Sequence, residues 1–363
     1  MGRFFRIFIL PGAILQSVNI GGGYGTGREL VEFFSRHGMG NGLMGMGLAT
    51  TLMSVTFATA LLLSRRFEAY DYRSFFKVLL GRGWFLFELL GVSMFVLVLA
   101  VMGAAAGQII NAELGASPVI GGMVMLFAVV TLNFFGRDLV TRALAMWSFV
   151  LYAVFIAYFL TVMSRYADAA DFSLLSWHYD PAWVVSGFQY ALYNVSAIPV
   201  ILYAARAIET DRQAIAAGLA GGLITMFPAL LFHLSFLGAY PDIVRQELPV
   251  YAMFATLSAP VLQSLYLVVL VGTFIETGAG NIQGVIERLD GWWRERRGVP
   301  LTRTAHAGVA AAALLCSGAL SAFGVVALIA DGYGTLAWGY LVIFIIPLFT
   351  IGIYRLRNPE AST

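Results

Sequence analysis

The residues best suited to chemistry are a carboxylic acid and two hydroxyls inside an apolar stretch. Glu276 lies in VLVGTFIETGAG, with Thr273 three residues before it and Thr277 directly after. In a helix these positions share one face. A charge at the centre of a bilayer costs about 2.5 kcal/mol or more. We therefore expect Glu276 to face the interior of a helix bundle with a partner or a proton; the alternative is a carboxylate hydrogen-bonded between helices for structure alone.

A glycine run interrupts the first apolar segment of the chain. The stretch NIGGGYGTGRE, Asn19 to Glu29, carries five glycines between Gly21 and Gly27. Glycine lets the backbone leave the helix, and broken backbone inside a membrane is tolerated where it lines a wet cavity. Free backbone amides near residues 25–28 would suit a bound carboxylate, and free backbone carbonyls near residues 19–22 would suit a cation. The residues predicted to contact a small molecule here are Gly21, Gly22, Gly23, Tyr24, Gly25, Thr26 and Gly27.

A second interruption is predicted at YNVSAIP, Tyr193 to Pro199. Proline removes a backbone donor and disfavours helix for the residue before it. Tyr193, Asn194 and Ser196 can donate and accept hydrogen bonds and are further candidates for contact with the small molecule. Close helix packing is the alternative for glycines, and it is our interpretation for Gly38, Gly42, Gly45, Gly47, Gly218, Gly221 and Gly222.

Three charged residues follow the glycine run. Arg28, Glu29 and Glu32 open the second half of the first segment, and Glu29 and Glu32 share a helix face. They are candidates for a gate. The alternative is that the acids only complement the dipole at the start of a helix.

The elements that position these residues are membrane helices. Of 363 residues, 60% are hydrophobic and 12% charged, which indicates a polytopic, all-α membrane protein. The net charge of +2 gives no reason to expect a nucleic-acid partner. The predicted spans 1 to 10 are roughly 5–34, 41–63, 84–112, 117–135, 139–164, 181–206, 214–238, 260–288, 304–329 and 334–354.

Positive charge orients these spans. With the N-terminus in the cytoplasm, 18 of the 22 Lys and Arg fall on the cytoplasmic side. Both termini are therefore expected inside. Residues 67–80 suit a helix on the inner surface, and residues 241–258 suit a lid over the outer mouth. Glu88 is expected at the interface, and Arg288 with Trp292 and Trp293 as an anchor there.

Ten spans divide into five and five, so the second half would be inverted in the membrane. The predicted repeats are residues 1–166, with helix 1 broken near 20–27, and 167–363, with helix 6 broken near 193–199. Spans 3 and 8 correspond, and both are long enough to require a strong tilt. Paired interruptions at corresponding positions point to a binding site.

This pattern resembles the LeuT-like fold of the amino acid–polyamine–organocation superfamily. The wordings GGGYGTGRELVEFF in span 1 and GTFIETGAGNIQGVIER in span 8 are similar to the YkvI-like family of bacterial membrane proteins. The resemblance implies secondary transport of a small zwitterion, such as an amino acid or related amine, with coupling to sodium or protons. In sodium-coupled relatives, span 8 hydroxyls and span 1 carbonyls hold the ion, which here implies Thr273, Thr277, Asn19 and Ile20. Glu276 departs from that pattern and is either a charged sodium ligand or the proton carrier.

The sequence keeps other functions open and disfavours some. An uncoupled facilitator or channel, or a non-transporting receptor or assembly protein, are the alternatives. An enzyme is not expected, because the histidines and the single cysteine lack metal-ligand spacing and GGGYGTG lacks the following Lys-Ser/Thr of a nucleotide loop. No cofactor is expected beyond a coupling ion. The expected partners are a small molecule and lipid, and the expected location is the bacterial cytoplasmic (inner) membrane.

Overall fold

The structure is a computed structural model that describes residues 2–135, 137–166, 172–177 and 179–358. Within these ranges the regular structure is entirely helical. Seven helices are long and apolar enough to cross a membrane, and three shorter apolar helices, Phe5–Asn19, Pro118–Thr131 and Val150–Arg165, accompany them. The ten predicted spans fit this set.

The spans have well-defined bounds. Span 1 consists of a π-helical turn, Phe5–Ile9, followed by Leu10–Asn19, Gly22–Gly25 and Arg28–Phe33. Span 6 is an α-helix, Ala182–Asn194, that continues as a 3-10 helix, Val195–Ala207. The other spans are Met39–Arg66, Phe85–Leu114, Pro118–Phe135, Arg137–Tyr166, Asp211–Ser235, Pro260–Arg297, Arg303–Ser321 and, with several π turns, Val325–Arg357.

Ion pairs bring the predicted cytoplasmic connections together on one face, which we call the terminal face. Arg3 pairs with Glu209, and Arg65 and Arg66 both pair with Asp211. Each pair joins segments that the charge pattern assigns to the same side. At these connections the structure therefore agrees with the predicted alternation of the spans between the two sides of the membrane.

Spans 2 and 7 pack closely through small residues. A Cβ added at Gly222 would lie 2.7 Å from the backbone N and Cα of Ser54, and one at Gly218 would overlap the backbone of Ala58. The packing interpretation is confirmed for these glycines. It is wrong for Gly38 and Gly47, where a Cβ would meet nothing within 4 Å: Gly38 adopts a φ of 96° at the start of span 2, and Gly47 faces outward.

The surface helix predicted within residues 67–80 is present as Tyr72–Leu80. Asp71 caps its first turn by accepting a hydrogen bond from the N–H of Ser74 at 2.9 Å. Phe75 and Phe76 are buried beneath it and contact Phe344 of span 10. The helix is therefore held against the bundle by aromatic packing.

The predicted division into repeats falls at residues 166 and 167. Residues 167–171 lie outside the described ranges, so the boundary of the repeats stays a prediction. Spans 3 and 8 are indeed long, at 30 and 38 residues.

Candidate functional site

Span 1 breaks twice within its glycine run. Ile20 leaves the helix with φ −75° and ψ 87°, one short helical turn follows at Gly22–Gly25, and Gly27 adopts a left-handed φ of 80°. Only glycine accepts that last conformation without strain. The sequence predicted one interruption here, and the structure has two because the intervening turn re-forms helix.

Three of the four amides at residues 25–28 are not free, contrary to the expectation for this segment. The N–H of Gly25 donates to Gly21 O at 2.9 Å, that of Gly27 to Tyr24 O at 2.9 Å, and that of Arg28 to the Thr26 hydroxyl at 3.3 Å. The break satisfies its own donors through this turn. A carboxylate bound there would have to displace these bonds.

Glu29 lies at the centre of the site. It is only 3% exposed, and its Oε2 accepts a hydrogen bond of 2.7 Å from the Tyr193 hydroxyl of span 6. A Cβ at Gly23 would overlap Glu29 Oε1. The glycine run is therefore needed partly to admit this carboxylate.

Aromatic rings surround the hydroxyl that binds Glu29. The Tyr193 ring centroid lies 4.9 Å from that of Tyr333, 5.4 Å from that of Tyr190 and 5.4 Å from that of Phe33. These residues come from spans 1, 6 and 10. This aromatic packing holds in place the hydroxyl that binds the carboxylate.

Span 6 presents Tyr193 where its helix changes pitch. The α-helix ends at Asn194 and the chain continues as a 3-10 helix that contains Pro199. The predicted interruption therefore takes the form of a tightening of the helix. The tighter repeat suits a proline, which supplies no N–H to an α-helical ladder.

A cavity of about 760 Å³ opens from Glu29 towards the terminal face. Spans 1, 3, 5, 6, 8 and 10 line it, and its terminal end is lined by Asp71, Tyr72 and Arg73 at the start of the surface helix. Its size is that of small-molecule sites in other proteins.

The predicted site residues divide around this cavity. Those that line it are Asn19, Ile20, Gly21, Glu29, Tyr193, Asn194, Ser196, Thr273 and Thr277. Behind the wall lie Tyr24, whose ring packs edge-on against Phe232, and Thr26, whose hydroxyl donates to Gly23 O at 2.8 Å. Gly25 and Gly27 contact Leu270 and Val250 instead of the cavity. The turn at residues 22–25 directs these residues away from it.

Span 8 meets span 1 at the glycine run. The Tyr266 hydroxyl donates to Gly25 O at 3.0 Å. Thr273 donates to Val269 O at 2.9 Å, within its own helix, and Thr277 lines the cavity one turn further on. Glu276 belongs to this helix, and its side chain lies outside the described part of the structure.

The residues predicted as a gate separate into two groups. Arg28 Nη2 donates to Glu32 at 2.6 Å, and Arg36 also pairs with Glu32. Glu29 points the other way, to the cavity, because it is one residue beyond Arg28 on the helix. Arg28 and Glu32 alone stay candidates for a gate.

The lid, residues 241–258, covers the end of the site away from the terminal face. Arg28 Nη1 donates to Val244 O and Gln246 O, each at 3.0 Å. The N–H of Val250, in the lid helix Pro249–Leu257, donates to Thr26 O at 3.0 Å. The cavity is therefore open towards one face and covered at the other.

Two groups were misread from the sequence. Arg288 is 7% exposed and lines the cavity, with its guanidinium carbon 4.3 Å from the Tyr72 ring centroid. Its Nη1 lies 3.6 Å from Glu88 Oε2. Both residues were expected at the membrane interface. They are drawn inward because the surface helix packs over them. A helical stripe through Thr273, Thr277, Gly284 and Arg288 was the available signal.

These features define a polytopic, all-helical membrane protein with a discontinuous first span and a cavity between spans 1, 6 and 8. The chain is similar over 98% of its length, and 98% of the other, to the crystal structure of MhsT in complex with L-phenylalanine, with a TM-score of 0.59 at 15% identity. The LeuT-like fold predicted from the sequence is confirmed.

The chain is also similar to the uncharacterized membrane protein YkvI of Bacillus subtilis (strain 168). The two are 25% identical over 282 residues, which cover 73% of this chain and 76% of that protein. This confirms the resemblance seen in the span 1 and span 8 motifs. A Na+-coupled sialic acid symporter in a substrate-bound outward-open state matches with a TM-score of 0.48 at 13% identity, over 100% of this chain and 93% of that one. No protein-family model matches the chain.

Proposed function

We propose that this protein is a secondary active transporter for a small amine-bearing solute, an amino acid or related amine, that works by alternating access. The observation that carries the proposal is Glu29, a carboxylate buried in the wall of the central cavity and bound there by Tyr193. A buried carboxylate needs a compensating partner. A solute ammonium group, a cation or a proton would each supply one.

An amine suits the surroundings of Glu29. A carboxylate can accept about four hydrogen bonds, and an ammonium group donates three. The rings of Tyr193 and Tyr333 add faces that attract a positive charge. Arg28, the nearest cation along the chain, is engaged by Glu32 and the lid. The site therefore favours the amine end of a zwitterion over its carboxylate end.

The uneven closure of the two faces supports alternating access. The lid is tied to span 1 through Arg28 and Thr26, whereas the cavity reaches Asp71 and Arg73 at the terminal face. With the termini in the cytoplasm of a bacterial inner membrane, as the charge pattern predicts, this is the inward-open arrangement. The opposite arrangement requires release of the lid and closure at the terminal face.

Symport with sodium or protons is the coupling that we propose. Asn19, Ile20, Thr273 and Thr277 line the same cavity and offer the oxygen atoms that sodium prefers. Glu29 and Glu276 are the candidate proton carriers. An uncoupled facilitator and a non-transporting receptor are the alternatives that the experiment must separate.

The first test is the thermal stability of the purified protein in detergent against a panel of amino acids and amines. Each compound is tested with sodium and with potassium, in neutral and in mildly acidic buffer. A ligand of the native state stabilises by about 2.7 kcal/mol at 100 times its Kd. We expect a compound that stabilises the wild type and Tyr333→Phe but fails to stabilise Glu29→Gln.

The outcomes separate the alternatives. Stabilisation only with sodium supports sodium coupling, and stabilisation that follows pH supports proton coupling. Equal stabilisation of wild type and Glu29→Gln would remove Glu29 from the site and contradict the proposal. A ligand that binds but is not moved by reconstituted protein would favour a receptor.

A further inference from the structure

Arg288 is the most unusual charged residue outside the central site. It lies on the cavity face of span 8, 11 residues beyond Thr277 and about 16 Å further along the helix axis. Small residues, Gly280 and Gly284, leave the path between them open on the span 8 side. The cavity thus leads from the central site to this guanidinium.

Two aromatic rings hold the guanidinium between them. Its carbon lies 4.3 Å from the centroid of Tyr72 in the surface helix and 5.0 Å from that of Phe95 in span 3. A Cβ at Gly91 would lie 2.8 Å from Nη1, so the glycine there leaves room for the group in this position. Stacking fixes the plane of the guanidinium and leaves its N–H edge to bind a ligand.

That edge is not satisfied by protein. Arg288 Nη1 is buried and has no hydrogen-bond partner among the described residues. Among the described residues it pairs with Glu88 Oε2 at 3.6 Å, and that oxygen has no hydrogen-bond partner there either. A charge-assisted bond would measure about 2.7–2.9 Å. The pair is therefore loose, although both of these atoms are buried.

Two neighbouring charges among the described side chains at this end of the cavity are engaged elsewhere. Arg73 pairs with Glu295, and Asp71 accepts hydrogen bonds from Ser74. A further donor on the same wall, Asn281 Nδ2, is likewise buried without a partner in the described residues. Among the described residues that line the cavity at this end, which do not include Glu88, the unsatisfied groups are N–H donors, and they complement an anion that accepts hydrogen bonds.

We propose that Arg288 forms a second binding site, for a monocarboxylate, at the terminal end of the cavity. The incoming carboxylate takes the N–H edge of Arg288 in competition with Glu88. The planar fork of arginine matches a carboxylate in two parallel hydrogen bonds. Binding of a carboxylate at Arg288 is independent of the proposed function. The further step, that this carboxylate belongs to the transported solute, rests on the proposed function.

The site can be probed through a single cysteine. Cys316 is the only cysteine in the chain, so Cys316→Ser with Met94→Cys leaves one thiol. Met94 lines the cavity on span 3, one turn from Gly91. The rate of its modification is measured with two thiosulfonate reagents of similar size, an anionic ethylsulfonate and a cationic ethyltrimethylammonium, in the presence of acetate, acetamide or chloride.

We expect Arg288 to favour the anionic reagent and acetate to slow its reaction in a saturable way. In Arg288→Gln the anionic-to-cationic rate ratio should fall by about tenfold, as expected for one unit charge a few ångströms away. Arg288→Lys should keep the ratio but weaken acetate protection, because lysine lacks the fork. Glu88→Gln should lower the half-saturating acetate concentration, because the competing carboxylate charge is removed.

The controls fix what each result means. Acetamide has the shape of acetate without its charge and should not protect. Equal protection by chloride and acetate, or undiminished acetate protection in Arg288→Gln, would overturn the site. If acetate protects a protein that moves no solute, the Arg288 site stands and the transport function is refuted. If the protein moves solute but acetate does not protect it, the transport function stands and the Arg288 site is refuted.

Discussion

A single methyl group tests the account of the glycine run. In Gly23→Ala the new Cβ would lie 2.9 Å from Glu29 Cγ and 3.0 Å from Cδ, and it would overlap Oε1. Glu29 must then move away from Tyr193, whose hydrogen bond to it measures 2.7 Å. Overpacking costs about 1–3 kcal/mol and a lost bond to a charged group about 1.5–3 kcal/mol. Because the movement of Glu29 relieves part of the overlap, the two costs do not add in full, and we expect a destabilisation of about 2–4 kcal/mol.

Gly21→Ala is the matched control. Gly21 lies two residues earlier in the same run, and a Cβ there would meet nothing within 4 Å. Both substitutions restrict the unfolded chain equally. The difference between them therefore reports the contact with Glu29. The assay is the free energy of unfolding in mixed micelles, from titration with sodium dodecyl sulfate.

A double-mutant cycle decides whether Glu29 is the cause. In a Glu29→Ala background the added methyl has room, so the penalty of Gly23→Ala should almost disappear. Equal destabilisation by Gly21→Ala and Gly23→Ala would refute the reasoning. An undiminished penalty in the Glu29→Ala background would do so as well.

Three further predictions concern the lid, the packing of spans 2 and 7, and pH. Arg28→Ala should speed hydrogen exchange in the lid, measured by mass spectrometry, while Arg245→Ala, an exposed arginine of the lid itself, should not. Gly222→Ala should lower the free energy of unfolding by about 1–3 kcal/mol through overpacking, whereas Gly47→Ala should not lower it. Burial, and then the neighbouring arginine, lowers the pKa of His37, in the connection between spans 1 and 2. As pH falls, the histidine therefore takes up its proton in the unfolded chain before it does so in the folded protein. The free energy of unfolding should fall as pH drops below about 6.5, and in His37→Gln this part of the pH dependence should be absent.

The sequence predicted the architecture well because the bilayer imposes strong rules on it. Hydropathy marks the spans, and positive charge marks their alternation, which the Arg3–Glu209 and Arg65–Asp211 pairs agree with. The surface helix at Tyr72–Leu80 was visible because residues 67–80 mix aromatic and charged residues, which suits a helix on the membrane surface. Such signals are local, and local patterns can be recognised in the sequence without the structure.

The site was harder to predict because it depends on direction as well as position. Glu29 was grouped with Arg28 and Glu32 as a gate, yet neighbouring helix positions point about 100° apart. Tyr24 and Thr26 were assigned to the cavity, but the re-formed turn at Gly22–Gly25 directs them behind its wall. No local pattern specifies that turn.

Arg288 and Glu88 show a second limit. Each lies near the end of a long span, where a charged residue normally reaches the interface. Burial came from the surface helix, whose Tyr72 covers the guanidinium at 4.3 Å. Such long-range coverage is set by the packing of Phe76 on Phe87 and of neighbouring aromatic residues, which sequence spacing does not reveal.

We propose that the Glu29 cavity carries a small amine-bearing solute across the membrane. The most direct measurement is uptake of the radiolabelled panel ligand into proteoliposomes under an inward sodium or proton gradient, for wild type, Glu29→Gln and Gly47→Ala. We predict uptake against the solute's own gradient by wild type and Gly47→Ala, its loss when the ion gradient is collapsed, and its absence in Glu29→Gln. Uptake by Glu29→Gln at the wild-type rate, or no gradient-dependent uptake by wild type that binds the ligand, would contradict the account.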